Sequence, residues 1–77
     1  MATSTRTTIK NGSTGSDVKT LQAMLNEVYG FVLAVDGIFG NKTEGLVKQY
    51  QQDHGLVVDG IVGSATWTSL EDRFSKD

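Results

Sequence analysis

A five-residue phrase occurs twice in this chain. Asp36-Gly37-Ile38-Phe39-Gly40 returns as Asp59-Gly60-Ile61-Val62-Gly63, an offset of 59 − 36 = 23 residues. A threonine stands three residues after each closing glycine, at Thr43 and Thr66. Each copy then runs into an apolar-periodic segment. A unit that recurs at a fixed period is one supersecondary element used twice, and it buries its apolar face against its own copy. The 77 residues amount to one domain, so both copies are expected to share one core.

The phrase itself is turn chemistry. An Asp carboxylate accepts hydrogen bonds from main-chain N–H groups two or three residues on, and the following Gly supplies positive φ. Gly40 and Gly63 are expected to let the chain reverse without a Cβ clash. Ile38 with Phe39, and Ile61 with Val62, are expected to drop between helices and pin each turn to the core. The Thr43 and Thr66 hydroxyls fall in a first helical turn, where they can bond back to loop groups. Asp36, Gly37, Gly40, Thr43, Asp59, Gly60, Gly63 and Thr66 thus form a structural loop motif.

The periodicity around the turns is helical. Val18, Leu21, Leu25 and Val28 recur at i, i+3, i+7 and i+10, with Met24 and Tyr29 widening the stripe. Ser16 is placed as N-cap and Gly30 as the stop, with Phe31 folding back on the last turn in a Schellman arrangement. Phe31 to Val35 reads as a short extended segment. A second helix follows, capped by Asn41, with Glu44 completing a capping box and Leu46, Val47 and Tyr50 buried. Gly55-Leu56 repeats the Schellman pattern. Gly45 costs this helix about 1 kcal/mol relative to alanine, which a close helix approach would explain. Ser64 caps a third helix carrying Trp67, Leu70 and Phe74. The predicted fold is all-α: a compact three-helix bundle with a repeated loop–helix unit. Residues 1–8 read as a disordered lead or linker, 9–74 as the domain and 75–77 as a frayed tail.

Composition removes several functions. There is no cysteine, so no disulfide supports the small core. One histidine and no cysteine argue against a zinc site, and one Asp per loop supplies too few oxygens for calcium. No metal and no cofactor are expected. Net charge is −2 with acids and bases interspersed, which lacks the basic stripe of a nucleic-acid binder. The third helix holds two acids and one base, against a helix-turn-helix reading. No run reaches the length of a membrane span, and Met1–Thr8 shows no signal-peptide h-region. No catalytic residues are assigned: there is no nucleophile–base pair and no phosphate loop.

Several spaced elements occur together in order. They are Ile9-Lys-Asn-Gly-Ser-Thr-Gly-Ser-Asp-Val18, Leu21-Gln22, Leu25-Asn26, Val35-Asp-Gly-Ile-Phe-Gly40, Thr43-Glu44, Val47, Tyr50-Gln51, Gly55-Leu56, Val58-Asp-Gly-Ile-Val-Gly63, Thr66-Trp67 and Leu70. In this the chain resembles the peptidoglycan-binding type 1 domain family, over about Ile9 to Phe74. Where that family often has proline after the turn, this chain has Asn41 and Ser64. The family's usual Phe-Gln pair is Tyr50-Gln51 here, and its Ala-Val is Leu46-Val47.

The resemblance implies a non-catalytic module that holds a bacterial or phage wall hydrolase on peptidoglycan, in the cell wall or in an extracellular or periplasmic setting, phage delivery included. It also implies a monomer with no membrane or nucleic-acid partner. The alternative is a protein–protein or regulatory module on the same scaffold. A groove for sugar faces, amides and carboxylates needs apolar floors and a few fixed polar groups. Asp36, Phe39, Asn41, Lys42, Gln49, Tyr50, Asp59 and Trp67 are the candidate contacts, with Gln52 beside them. Trp67 and Tyr50 read first as core residues and only second as contacts. Asn41, Lys42, Gln49 and Gln52 read first as a solvated face.

Overall fold

A computed structural model describes residues 7–74. Three helices follow in order: α1, Ser16–Tyr29; α2, Asn41–Asp53; and α3, Ser64–Phe74. No strand is assigned among the described residues, only two isolated antiparallel bridges, Ile9 to Val62 and Thr14 to Ile38. The three-helix architecture expected from the periodicity is the one observed. What the sequence leads one to expect of residues 1–6 and 75–77, and of the side chain of Phe74, lies outside the described residues.

The core gathers one stripe from each helix with a residue from each turn. Val18, Leu21 and Leu25 come from α1, Val47 and Tyr50 from α2, and Trp67 and Leu70 from α3. Phe39, Val62, Leu33 and Ile9 close it from the loops. Each of these large side chains contributes about 1.5–3 kcal/mol by leaving water. Tyr50 and Trp67 are fully buried, so of their two readings the core one describes their position. Each still places its polar atom: Tyr50 Oη lies 2.7 Å from Ser69 Oγ, and Trp67 Nε1 donates to the Thr7 carbonyl at 3.0 Å. Thr7, expected in the lead, therefore sits against α3. Across the other seam, Tyr29 Oη donates to Asp53 Oδ2 at 2.8 Å, joining α1 to α2. Burial first, and this bond second, push the Tyr29 hydroxyl's pKa well up.

The segment before α1 is more than a loop. Ile9 and Val62 exchange both backbone bonds, at 3.2 and 2.8 Å. Gly12 N–H donates to Phe39 O at 2.8 Å, Phe39 N–H to Ser13 O at 2.9 Å, and Gly15 N–H to Gly37 O at 3.0 Å. One extended stretch thus ties itself to both turns. It carries no apolar alternation, so its pairing left no mark in the periodicity.

Helix ends depart from expectation in four places. Ser16, Asn41 and Ser64 are first helical residues and not N-caps. The preceding glycine carbonyls accept the first helical bonds, Gly15 from Lys19, Gly40 from Glu44 and Gly63 from Trp67, at 2.9–3.2 Å. Asn41 Oδ1 and Glu44 Oε1 instead accept from Asn11 Nδ2, at 2.8 and 3.2 Å, so the would-be capping box clamps the N-terminal stretch. At the end of α1, Gly30 has φ +92° and ψ 175°, so the chain leaves extended and Phe31 is 94% exposed. Leu33 takes the buried place two residues later. The Asn26 side chain holds this departure, accepting from Val32 and Leu33 N–H and donating to Leu33 O.

The end of α2 does form the Schellman pair. Leu56 N–H donates to Gln51 O at 2.8 Å and Gly55 N–H to Gln52 O at 3.4 Å, with Leu56 packed on the core. His54 stacks on Tyr50 with ring centroids 3.9 Å apart.

Gly45 admits no close helix approach, since a Cβ there meets nothing within 4 Å. Gly45→Ala should therefore raise stability by about 0.5–1 kcal/mol, read as a higher thermal midpoint. Gly37→Ala should do the reverse, because φ is +77° and the new Cβ meets Gly15 O at 3.3 Å.

Candidate functional site

The two turns are built alike, and each closes on a buried glutamine. In the first, Gln22 of α1 points its amide into the turn. Its Nε2 donates to Asp36 Oδ1 at 3.1 Å, Ile38 O at 3.0 Å and Thr43 Oγ1 at 3.2 Å, while its Oε1 accepts from Gly37 N–H at 3.0 Å. In the second, Gln51 of α2 donates to Asp59 Oδ1 at 3.0 Å, Ile61 O at 2.9 Å and Thr66 Oγ1 at 3.2 Å. Its Oε1 accepts from Asp59 and Gly60 N–H at 3.1 and 3.0 Å. Both glutamines are at most 1% exposed. The first glycine of each turn, Gly37 and Gly60, is buried too, and its N–H needs the partner that the glutamine supplies.

The Asp residues complete the turn as expected. Asp36 Oδ1 accepts from Ile38 N–H at 3.0 Å and Asp59 Oδ1 from Ile61 N–H at 2.9 Å. The Ile38 N–H first, and Gln22 second, hold the Asp36 carboxyl below its ordinary range. The positive φ falls on the first glycine of each phrase, Gly37 at +77° and Gly60 at +75°. Gly40 and Gly63 have no positive φ, and a Cβ on either meets nothing within 4 Å, contrary to the reversal role expected of them. Lysine stems lie over the first glycines: a Cβ on Gly37 meets Lys19 Cε at 3.3 Å, and one on Gly60 meets Lys48 Cε at 3.0 Å.

Phe39 and Val62 anchor the turns, at 1% and 0% exposure. Ile38 and Ile61 do not: they stand 57% and 37% exposed. The alternation has one physical source. In an extended segment neighbouring side chains face opposite ways, so burying Phe39 presents Ile38 to solvent.

Beside each turn lies a shallow concavity, about 220 Å³ at the first and about 290 Å³ at the second. Gln22, Asp36, Ile38, Asn41, Lys42 and Thr43 line the first, with Leu33, Ala34 and Gly40. Gln51, Asp59, Ile61, Ser64, Ala65 and Thr66 line the second, with Leu56, Val57 and Gly63. Of the eight candidate contacts, the structure brings Asp36, Asn41 and Lys42 to the first concavity and Asp59 to the second. Phe39, Tyr50 and Trp67 are in the core. Gln49 lies outside both, donating to Asp53 Oδ1 at 2.9 Å.

Sequence reasoning missed Gln22 and Gln51 as the residues that fix the site. A signal existed: Val18-Lys19-Thr20-Leu21-Gln22 is matched by Val47-Lys48-Gln49-Tyr50-Gln51. The offset there is 51 − 22 = 29, not 23, because α1 runs seven residues past its glutamine and α2 only two, and the connection to the first turn is one residue longer. A search at one fixed period passes over it.

Gln51→Leu should destabilise the domain by about 2–4 kcal/mol, since it takes the partner from the buried Gly60 N–H, the Ile61 carbonyl and the Thr66 hydroxyl, while the Asp59 N–H keeps Val57 O; urea unfolding measures it. Stability should also fall in acid. Asp36 titrates below its ordinary value of 3.8 in the folded chain, so its contribution is present above that value and is lost as the pH falls through the lowered one. Asp36→Asn should flatten that part of a midpoint-against-pH curve.

Comparison with known proteins agrees with this architecture. A family model described as a peptidoglycan binding domain matches residues 14–70. A spore cortex-lytic enzyme of Halalkalibacterium halodurans is 39% identical over 71 residues, covering 90% of this chain and 22% of that protein. The N-acetylmuramoyl-L-alanine amidase CwlL of Bacillus licheniformis is 44% identical over 70 residues, covering 87% and 19%. The chain thus spans about a fifth of the length of these relatives. Among solved structures, the SleB N-terminal domain superposes with a TM-score of 0.83 at 35% identity, covering 94% of this chain and 97% of that one. A Burkholderia AP3 phage endolysin gives 0.79 at 41%, covering 86% and 25%. With its helices, its twin turns and most of its length matched, this chain belongs to the peptidoglycan-binding domain family.

Proposed function

We propose that this chain is a non-catalytic holder of peptidoglycan that keeps an attached or associated wall hydrolase against its polymeric substrate. The observation that carries the reading is the pair of locked turns, each beside a concavity with polar walls and an exposed apolar edge. Fixed polar groups next to apolar surface suit recognition of a sugar or amide without reorganisation on binding. Asp36, Asn41, Lys42 and Asp59 are the contacts this reading uses. Phe39, Tyr50 and Trp67 act from below by holding the turns in place.

The threonine hydroxyls at the concavities are committed to structure. Thr43 and Thr66 accept from glutamine amides. The one imidazole, His54, has Nδ1 2.9 Å from Tyr50 O at the far end of α2. Activation of a nucleophile needs a base in hydrogen-bond reach, and the arrangement favours binding over turnover. The setting proposed is the cell wall or the space outside the cytoplasmic membrane, the module acting as a monomer without nucleic-acid or membrane partners. Net charge of −2 gives no long-range pull toward an anionic wall, so retention rests on short-range contacts multiplied along the polymer. One observation favours a second reading, a protein contact: Phe31 is 94% exposed at the end of α1.

Sedimentation with purified sacculi tests the proposal. The domain should pellet with the wall and release no soluble fragments. Lys42→Ala should weaken retention roughly three- to tenfold, the loss of one or two net hydrogen bonds, and leave the fold intact because the side chain is exposed. Release of fragments by the isolated chain contradicts the non-catalytic part. Retention unchanged by Phe31→Ser separates wall binding from the protein-contact reading.

A further inference from the structure

The two concavities correspond residue by residue. Eight of the nine positions lining the first recur in the second at +23, from Leu33 and Leu56 through Thr43 and Thr66; the ninth is the glutamine, at +29. A repeat kept only to fold the chain needs the buried positions alike. Here the surface positions correspond as well. Ile38 and Ile61 stand exposed, as do Ala34 and Val57, the latter 77% so. Each Asp gives Oδ1 to the turn, to the glutamine amide and to the isoleucine N–H, and Oδ2 takes no part in those bonds. Both concavities therefore offer the same pair of features: a carboxylate oxygen outside the lock and an apolar edge.

We propose, building on the peptidoglycan-holding reading above, that the module carries two equivalent subsites, one per turn, and that both take the acetamido groups of the wall's amino sugars, so that one glycan strand engages both. An acetamido group presents an N–H donor beside a methyl, which matches a carboxylate acceptor beside an isoleucine edge. The charge of the sites selects the glycan over the stem peptide. Each subsite holds a carboxylate, Asp36 or Asp59; Lys42 lines the first, where the second has Ala65, and the Lys48 stem over Gly60 carries an ammonium paired with Glu44 at 4.0 Å. The carboxylates of a stem peptide meet like charge at the second subsite, while a neutral sugar amide meets none. Volumes of about 220 and 290 Å³ suit one small group each and not a whole muropeptide.

Two weak sites on one rigid body bind a repeating polymer far better than a monomer. The test is a chemical-shift titration of the ¹⁵N-labelled chain with N-acetylglucosamine oligomers of increasing length, and separately with an alanine-containing stem peptide. The amides of Ile38–Gly40 and Ile61–Gly63 should move together with the short sugars. Affinity should rise roughly tenfold or more once the oligomer can reach both turns. Ile38→Ser and Ile61→Ser, both at exposed positions, should each abolish that gain while leaving shifts at the other turn. Movement confined to one turn overturns the proposal. So does movement with the stem peptide alone, or a length-dependent gain that survives both variants. Retention on sacculi with still turns sinks the twin-subsite inference and spares the holding function; no retention on sacculi sinks both.

Discussion

The fold depends on two buried side-chain amides. With three helices and no sheet among the described residues, each turn still holds a buried glycine whose backbone groups need partners. Gln22 and Gln51 answer that need. Each makes at least four hydrogen bonds into one turn, to main chain, carboxylate and hydroxyl together. A satisfied buried network fixes one arrangement, whereas a partly satisfied one costs more than an apolar replacement. Asn26 does the same for the chain leaving α1, through three bonds to Val32 and Leu33. Three carboxamides thus replace the ladder that a sheet would have supplied.

From that constraint the surface follows. With the turns locked and Phe39 and Val62 turned inward, Ile38 and Ile61 face out, and the concavities take their shape from residues that cannot move independently. The N-terminal stretch adds a brace across both turns, through Ile9 to Val62 and through Gly12, Ser13 and Gly15 to the first turn. The backbone of both turns is therefore tied to the core, and on the proposed reading a polymer would order little main chain on binding.

Much of this was legible in the residues. The helices were written in the spacing of Val18, Leu21 and Leu25, of Val47 and Tyr50, and of Trp67 and Leu70, because amphipathic burial leaves a 3.6-residue period. The Asp-Gly turns were written in their own chemistry, and Gly55-Leu56 announced its Schellman end. Other features left no such trace. Whether Gly30 turns back or leaves extended depends on Asn26, which reads as one more helical polar residue until its neighbours are known. Ser16, Asn41 and Ser64 looked like caps, but the glycine before each already supplies the accepting carbonyl. A glutamine in a helix gives no sign of pointing inward, and the 29-residue spacing of Gln22 and Gln51 hid behind the 23-residue period of the turns. The candidate site was half visible: its carboxylates and Lys42 by position, its fixing glutamines not at all.

Amide hydrogen exchange at Gly37 and Gly60 tests the central claim most directly, because both N–H groups are held by a glutamine Oε1 in otherwise irregular backbone. If the two amides lock the turns into the common core, Gly37 and Gly60 exchange only with global unfolding, at the same free energy as core amides of α1 and α2. Exchange at either glycine well ahead of the core would show that turn opening on its own, and the account of a single rigid body would be wrong.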